Sequence, residues 1–377
     1  MKKENGQRGR RTRVRRSPHL VLYWRNGRLV VRNYATAAVA EATPFVCRLL
    51  DCCADWANVE QIRTAMGIGE SPLLPRLIRR LCERSFLQQS DRPIDRRERA
   101  MQALDRWNPE AGLFHTATKR VRYFSPQEAG RHWALRANDR MPSPVKSYPR
   151  LSKVTLPPIG SGTFATLARE RRTWRRFSPA PVTLNELASV LGLTVGVQKW
   201  VRVGRRKLPL KTSPSGGARH PVEAYVIVRN VRGLARGLYH YNAAQHALEH
   251  MGRAPSLRRL RLYMPGSDYC LGASAFVFFT AVLERQLWRY PYSRAYRAAL
   301  IEAGHVCQTF CLAATELKLA PFSLMGLVDD LIERDLGIDG ITETVLYAAG
   351  VGRPPAGTTW APRARGTLPV TTNPRLR

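Results

Sequence analysis

Arg171-Arg172-Thr173-Trp174-Arg175-Arg176-Phe177 sets four guanidiniums around one hydroxyl, a donor set suited to an anionic group. Guanidinium is permanently charged and presents a planar fork of N–H groups, so it meets a phosphate bidentately where lysine offers a point charge. A second chemical feature is Ser213-Pro214-Ser215-Gly216-Gly217-Ala218-Arg219-His220-Pro221, which runs into the strand-like Tyr225-Val226-Ile227-Val228. Its glycines let main-chain N–H groups approach a ligand closely, and the Ser213 and Ser215 hydroxyls add donors and acceptors. The turn therefore reads as a backbone cradle for a flat or phosphorylated ligand. Each feature also has an ordinary alternative: a solvated basic face for the arginines, and a plain loop-to-strand turn for the glycines.

The elements that must hold these residues follow from periodicity. Thr183 is a capping candidate for a helical pattern over 184–193, and a long helix is expected over 294–317. Strands are expected over 224–228, 275–281 and 344–349. Toward the N-terminus, apolar runs at 19–24 and 29–31 flank Asn26-Gly27, the signature of a hairpin, and helical patterns follow over 44–54, 59–66 and 73–85. The expected organisation is a disordered basic tail over 1–16, a small domain over 17–90, a proline-punctuated linker region with short helices over 91–158, a main domain over 159–356, and a basic tail over 357–377.

The arginine motif and the Pro-Ser-Gly-Gly turn stand in order with Gly237-Leu238-Tyr239-His240-Tyr241, residues 290–312, Phe322 to Asp330 and Leu346 to Pro354. This succession resembles the nitroreductase-fold flavoproteins. Within them it is most similar to the SagB-type dehydrogenases, and there to the peptide maturation dehydrogenases. The likeness spans about residues 160 to 355. It implies an α+β fold with a mixed sheet flanked by helices, a bound FMN and an obligate homodimer. The hairpin and three short helices ahead of it resemble a winged-helix or peptide-clamp module, which would engage a leader peptide as an added strand. The same module in a basic chain would alternatively hold DNA through Arg76, Arg79, Arg80 and Arg84, whose plain reading is a solvated helix face.

The resemblance carries over residue by residue. Arg171, Arg172, Thr173 and Arg175 match the FMN-binding arginine motif, with threonine where serine is commoner. Pro214, Ser215, Gly216 and Gly217 match the turn that meets the isoalloxazine, usually that of the opposite subunit. Gln308 matches a polar position on the long helix, but Thr309 replaces the asparagine commonly beside it. Met325 and Gly326 stand where the family often has Gly-Gly near the ring, and Gly352 and Arg353 match the terminal phosphate-side contact.

For the chemistry, related azoline oxidases use a Lys-Tyr pair, and Arg289-Tyr290 falls on it here, followed by Arg294. Arginine stays protonated in essentially any protein setting, so Tyr290 becomes the proton acceptor, with Arg289 and Arg294 supplying positive charge that favours its phenolate. The alternative is that Tyr290, Tyr292 and Tyr296 are packing residues at a helix start. His220, after the turn, is another candidate proton carrier; His305, in an apolar helical stretch, reads as a core histidine.

Bulk properties agree with this reading without having produced it. At 377 residues and 44% hydrophobic content the chain can build two cores, and the formal charge of +33 calls for an anionic partner. An acidic precursor peptide is the preferred partner, with a cyclase or other peptide-modifying enzyme beside it. The seven cysteines lack metal-ligand spacing and are expected as reduced thiols, with no metal bound. No apolar stretch is long enough for a membrane span and no signal-peptide core is seen, so a cytoplasmic location is the expectation. The expected function is FMN-dependent oxidation of a ribosomally made peptide, either azoline to azole or desaturation of a residue. An NAD(P)H-dependent nitroreductase or flavin reductase is the alternative, and a nucleic-acid-binding module ranks last.

Overall fold

The computed structural model describes residues 12–119, 122–135, 154, 156–157, 162–358 and 360; the expected tails, apart from residues 12–16, 357, 358 and 360, lie outside the described residues, as does 136–153 of the expected linker. Two compact units emerge, one of residues 12–119, 282–299 and 333–344, the other of residues 122–281, 300–332 and 345–360. They do not coincide with the expected segments, because stretches of the expected main domain belong to the first unit.

In the first unit, β2 (Leu20–Arg25), β3 (Arg28–Asn33) and β4 (Val39–Glu41) form an antiparallel sheet in that order. Asn26 (φ 51°) and Gly27 (φ 75°) both occupy the left-handed region that a two-residue hairpin turn demands. Three helices follow: α1 (Pro44–Cys52), α2 (Val59–Met66) and α3 (Leu73–Glu83). Thr43 caps the first and a reciprocal Asn58–Gln61 capping box starts the second. Val31, Leu49, Ile62, Ile78 and Phe86 form their shared core.

Two expectations need correction here. Val14 lies inside the stretch expected as a disordered tail, yet β1 (Val14–Arg16) pairs antiparallel with β5 (Leu87–Gln89) and Val14 is buried. A single apolar residue suffices because the backbone ladder, not the flanking arginines, holds the strand. The expected linker region also carries core: α4 (Arg96–Gln102) and α5 (Pro109–Lys119) bury Met101 and His115. Glu98 on α4 is buried too, and accepts from Asn33 Nδ2 (2.7 Å), Gln88 Nε2 (3.0 Å) and the Ser17 hydroxyl. Such a carboxylate is tolerated inside because donors surround it.

The second unit opens with α6 (Pro126–Leu135) and α7 (Thr163–Glu170) and is built on a six-stranded sheet. Its order is β12 (Ala247–Gly252), β11 (Gly237–Asn242), β9 (Val222–Val228), β13 (Ala275–Val282), β15 (Glu343–Gly352) and β14 (Ala320–Leu324). A short parallel pair, β6 (Val182–Thr183) with β10 (Val231–Arg232), and a hairpin, β7 (Lys199–Val203) with β8 (Arg206–Leu210), sit outside it. β9 and β13 are near-continuous apolar runs because both their faces are covered. On one face lie α8 (Leu184–Val195) and the long α11 (Arg294–Glu316), through Leu187, Leu191, Phe279 and Phe310. On the other lies α9 (Leu257–Tyr263), whose Tyr263 ring meets Phe278 edge-on at 5.7 Å. Of the remaining helices, α10 (Leu283–Arg289) belongs to the first unit and α12 (Asp329–Leu336) is divided between the two. Among the described residues, no helix is long and apolar enough to cross a membrane.

Gly350 in β15 has no room for a side chain: a Cβ there would enter the Phe322 ring and come within 3.0 Å of the Ala275 carbonyl oxygen. Gly350→Ala is expected to destabilise the protein by about 1–3 kcal/mol, read as a lowered urea midpoint; an unchanged midpoint would show that the sheet relaxes around it.

Candidate functional site

The arginine segment is fixed by its backbone. Trp174 N donates to Pro321 O and Ser178 N to Arg353 O, each at 2.9 Å, which ties the segment to the start of β14 and the end of β15. Gly352 permits this approach, since a Cβ there would stand 2.7 Å from Phe177 Cδ1. Arg172 lies over the Trp174 ring, 4.3 Å from its centroid, and Arg175 over Tyr269 at 5.6 Å. Arg171 and Thr173 are half-buried. On α11, a hydrogen bond with Cys307 holds the buried Cys311 thiol below its ordinary range against the upward push of burial, and the Arg171 charge adds to that lowering.

The Gly-Ser turn is joined to the long helix by hydroxyls. Thr309 Oγ1 donates to His305 O (3.0 Å), so its one hydrogen is committed and Ser213 Oγ must be the donor across the 3.1 Å gap to Thr309 Oγ1. Within the turn, His220 N donates to Ser215 Oγ at 2.9 Å, and Gly217 takes φ 62° without steric cost. Ala218 (φ 52°) and His220 (φ 43°) share that region with side chains attached, a local strain of the kind that recurs at ligand-holding loops. Thr309 thus does more than stand in for an asparagine: it anchors the turn. Sequence reading missed this bridge, although Thr309 itself was visible as the departure beside Gln308.

The other residues distribute as follows. Gln308 is exposed and so is His305, which corrects the core reading of that histidine: the apolar side of α11 passes through Val306 and Phe310 instead. His220 is buried, 3.8 Å from the Glu302 carboxylate. Met325 is 76% exposed just beyond β14, next to Gly326. Arg353 stands apart from the other arginines, because Nη2 donates to Glu186 Oε2 (2.7 Å) and Nε to Pro181 O (3.0 Å). Burial pushes the Glu186 carboxyl upward, but the backbone and hydroxyl donors of Thr183 and the Arg353 charge outweigh it and hold the group below its usual range. The same carboxylate completes the capping box of α8.

Tyr290, Arg289 and Arg294 belong to the first unit, whereas the flavin-assigned residues belong to the second. Tyr290 ends α10, with its N donating to Gln286 O at 2.8 Å; Arg289 lies over its ring at 5.6 Å, and Tyr292 packs beside it with centroids 5.7 Å apart. Arg294 opens α11 and is exposed. Tyr296 is a packing residue, buried edge-on against Trp107 and Phe114 with its hydroxyl bonded to His115 Nδ1 at 2.8 Å.

In the second unit, guanidiniums, hydroxyls and an open left-handed turn are therefore held by neighbouring strands and one helix. Their donor chemistry fits a flat ligand with a phosphate. Residues 168–353 match the nitroreductase family. A stretch of 206 residues is 30% identical to “Putative nitroreductase MJ1384” of Methanocaldococcus jannaschii and covers 53% of this chain and 96% of that protein. The chain belongs to the nitroreductase family.

This nitroreductase-family chain is also 33% identical over 148 residues to the trifolitoxin-processing protein TfxB of Rhizobium leguminosarum bv. trifolii, spanning 38% of the chain and 39% of TfxB. It is 29% identical over 144 residues to the microcin B17-processing protein McbC of Escherichia coli, which is 53% of McbC. The fold is shared with a chain of the E. coli microcin synthetase McbBCD complex with truncated pro-MccB17 bound: TM-score 0.51 at 22% identity, covering 67% of this chain and 97% of that one.

Beside the turn, His240 on β11 bridges two carboxylates, Nε2 to Glu223 at 3.1 Å and Nδ1 to Glu249 at 2.8 Å. The hydrogen bond to Glu223, reinforced by Glu249, raises its pKa to about 9 despite burial. The charged form is favoured in the folded state, so this stabilisation is complete below the unfolded value of about 6.5 and disappears as pH rises through the folded one. His240→Gln should lower the melting temperature near neutral pH, with the gap to wild type closing in alkaline buffer; a gap independent of pH would mean that the charge contributes nothing.

Proposed function

We propose that this chain is a SagB-type, FMN-dependent dehydrogenase that oxidises a ribosomally made precursor peptide. The observation that carries the reading is that the family match, residues 168–353, encloses every residue assigned to the flavin. The peptide part is supported by TfxB and McbC, named as processing proteins of trifolitoxin and of microcin B17.

In this reading Arg171, Arg172, Thr173 and Arg175 would hold the phosphate, and Pro214, Ser215, Gly216, Gly217, Gln308, Met325 and Gly326 would hold the flavin ring. Arg353, engaged by Glu186, holds the end of β15 in place. FMN, when bound, supplies the acceptor for two electrons from a substrate C–H bond. Tyr290 takes the accompanying proton, and Arg289 and Arg294 stabilise the negative charge that develops. The product is an azole from an azoline, or a desaturated residue.

The chain works as a homodimer, through the exposed face of α11 at Ile301, His305 and Gln308. The first unit serves as the winged-helix-like peptide clamp. Its edge strand β2 exposes Leu22 and Trp24, and a groove of about 690 Å³ beside it is lined by Leu20, Leu22, Cys47, Leu50 and Arg16. A leader added to that edge would gain backbone hydrogen bonds and, if acidic, meet Arg15 and Arg16, the latter paired with Asp51 at 3.3 Å. An NAD(P)H-dependent nitroreductase is the second reading, favoured by the M. jannaschii relative, which matches over 96% of its length.

Purified protein is expected to carry FMN, and replacing Arg172 and Arg175 with alanine to weaken FMN binding by about 100-fold or more, each charge-assisted contact being worth about 1.5–3 kcal/mol. A colourless protein that refuses added FMN would overturn the function. Tyr290→Phe should keep FMN and slow removal of two hydrogens from the peptide by about 10²–10⁴-fold, followed by mass spectrometry; undiminished oxidation would remove Tyr290 as the base.

A further inference from the structure

Trp360 follows β15 in the chain and lies beyond the residues that match the family. Its indole returns to the arginine segment. The Trp360 and Trp174 rings are 5.4 Å apart between centroids, inclined at 50°. Arg172 lies 4.3 Å from the Trp174 centroid and 5.8 Å from that of Trp360. Lys318 Nζ stands 5.0 Å over the same Trp360 ring and 2.7 Å from Glu170 Oε2. Two cations thus share one indole, in a segment already fixed by the Trp174 backbone bond to Pro321.

We propose that Trp360 is a positioning residue of the anion site, completing with Trp174 an indole bracket that orients the Arg172 guanidinium toward a phosphate. The inference rests on the flavin reading above and adds to it a residue from outside the matched family region. A guanidinium stacks through its π face and binds phosphate through N–H groups in its plane, so the two interactions do not compete. An arginine side chain also has large rotamer freedom. Ordering it before the ligand arrives removes that loss from the binding step. The indole faces further lower the repulsion between Arg172 and Lys318 by offering each a region of negative potential.

The test titrates the apoprotein with FMN and, separately, with riboflavin, which has the same ring and no phosphate. Trp360→Ala is expected to weaken FMN binding by about two- to thirtyfold and to leave riboflavin binding unchanged. Trp360→Phe should restore most of the loss, and Trp360→Ala should have no further effect once Arg172 is alanine. Equal weakening for both ligands would reveal a general structural role and overturn the proposal. Undiminished FMN affinity in Trp360→Ala would overturn it while leaving the flavin reading intact, and a wild-type protein that binds neither ligand would overturn both.

Discussion

The packing of α11 against β9 and β13 is the contact from which the second unit takes its arrangement. Ala303, Val306, Cys307, Phe310, Cys311 and Ala314 are committed to the sheet, with the Phe310 and Phe279 rings edge-on at 6.1 Å. A helix turns by about 100° per residue, so this commitment dictates which residues face away: Ile301, Gly304, His305 and Gln308 are exposed as a result. Thr309 falls at the border between the two sides. From there it can reach the Ser213 hydroxyl, and the Gly-Ser turn inherits its position from the same packing.

Much of this was legible before the fold was seen, for identifiable reasons. The hairpin at Asn26-Gly27, the helices expected over 44–54 and 59–66, and the long helix from Arg294 each announce themselves by local rules of turn geometry or periodicity. The family was also legible, because its motifs recur in order along 168–353. Contacts between residues distant in sequence were not. Arg353 with Glu186, and Ser213 with Thr309, depend on which strands become neighbours, and nothing local to either residue encodes that. His305 was misjudged because a helix alternating apolar and small residues leaves its buried side ambiguous until the sheet chooses it. Val14 was missed because one valine among arginines has no period to detect.

Charge divides the molecule's arginines into kinds. A formal +33 means that most basic side chains have no carboxylate to meet. Some are neutralised in place, as Arg353 is by Glu186 and Lys119 by the buried Glu333 at 2.7 Å. Others rest on aromatic faces, as Arg15 does on Trp56 and Arg172 on Trp174. Stacking steadies a cation without cancelling its charge, which suits residues that must still attract an anion from solution.

The position of β15 in the sheet has a consequence for biosynthesis. Among the described residues it is the last strand in sequence, yet it lies between β13 and β14 rather than at an edge. While the chain is still emerging from the ribosome, β13 presents an open, apolar edge and β14 has no partner on which to form. The bond from Arg353 to Glu186 likewise spans 167 positions of sequence and forms only once β15 is in place. The unit therefore closes late, in one step of high contact order. Until then its nascent form exposes a sticky strand, the state in which protection by chaperones would matter most.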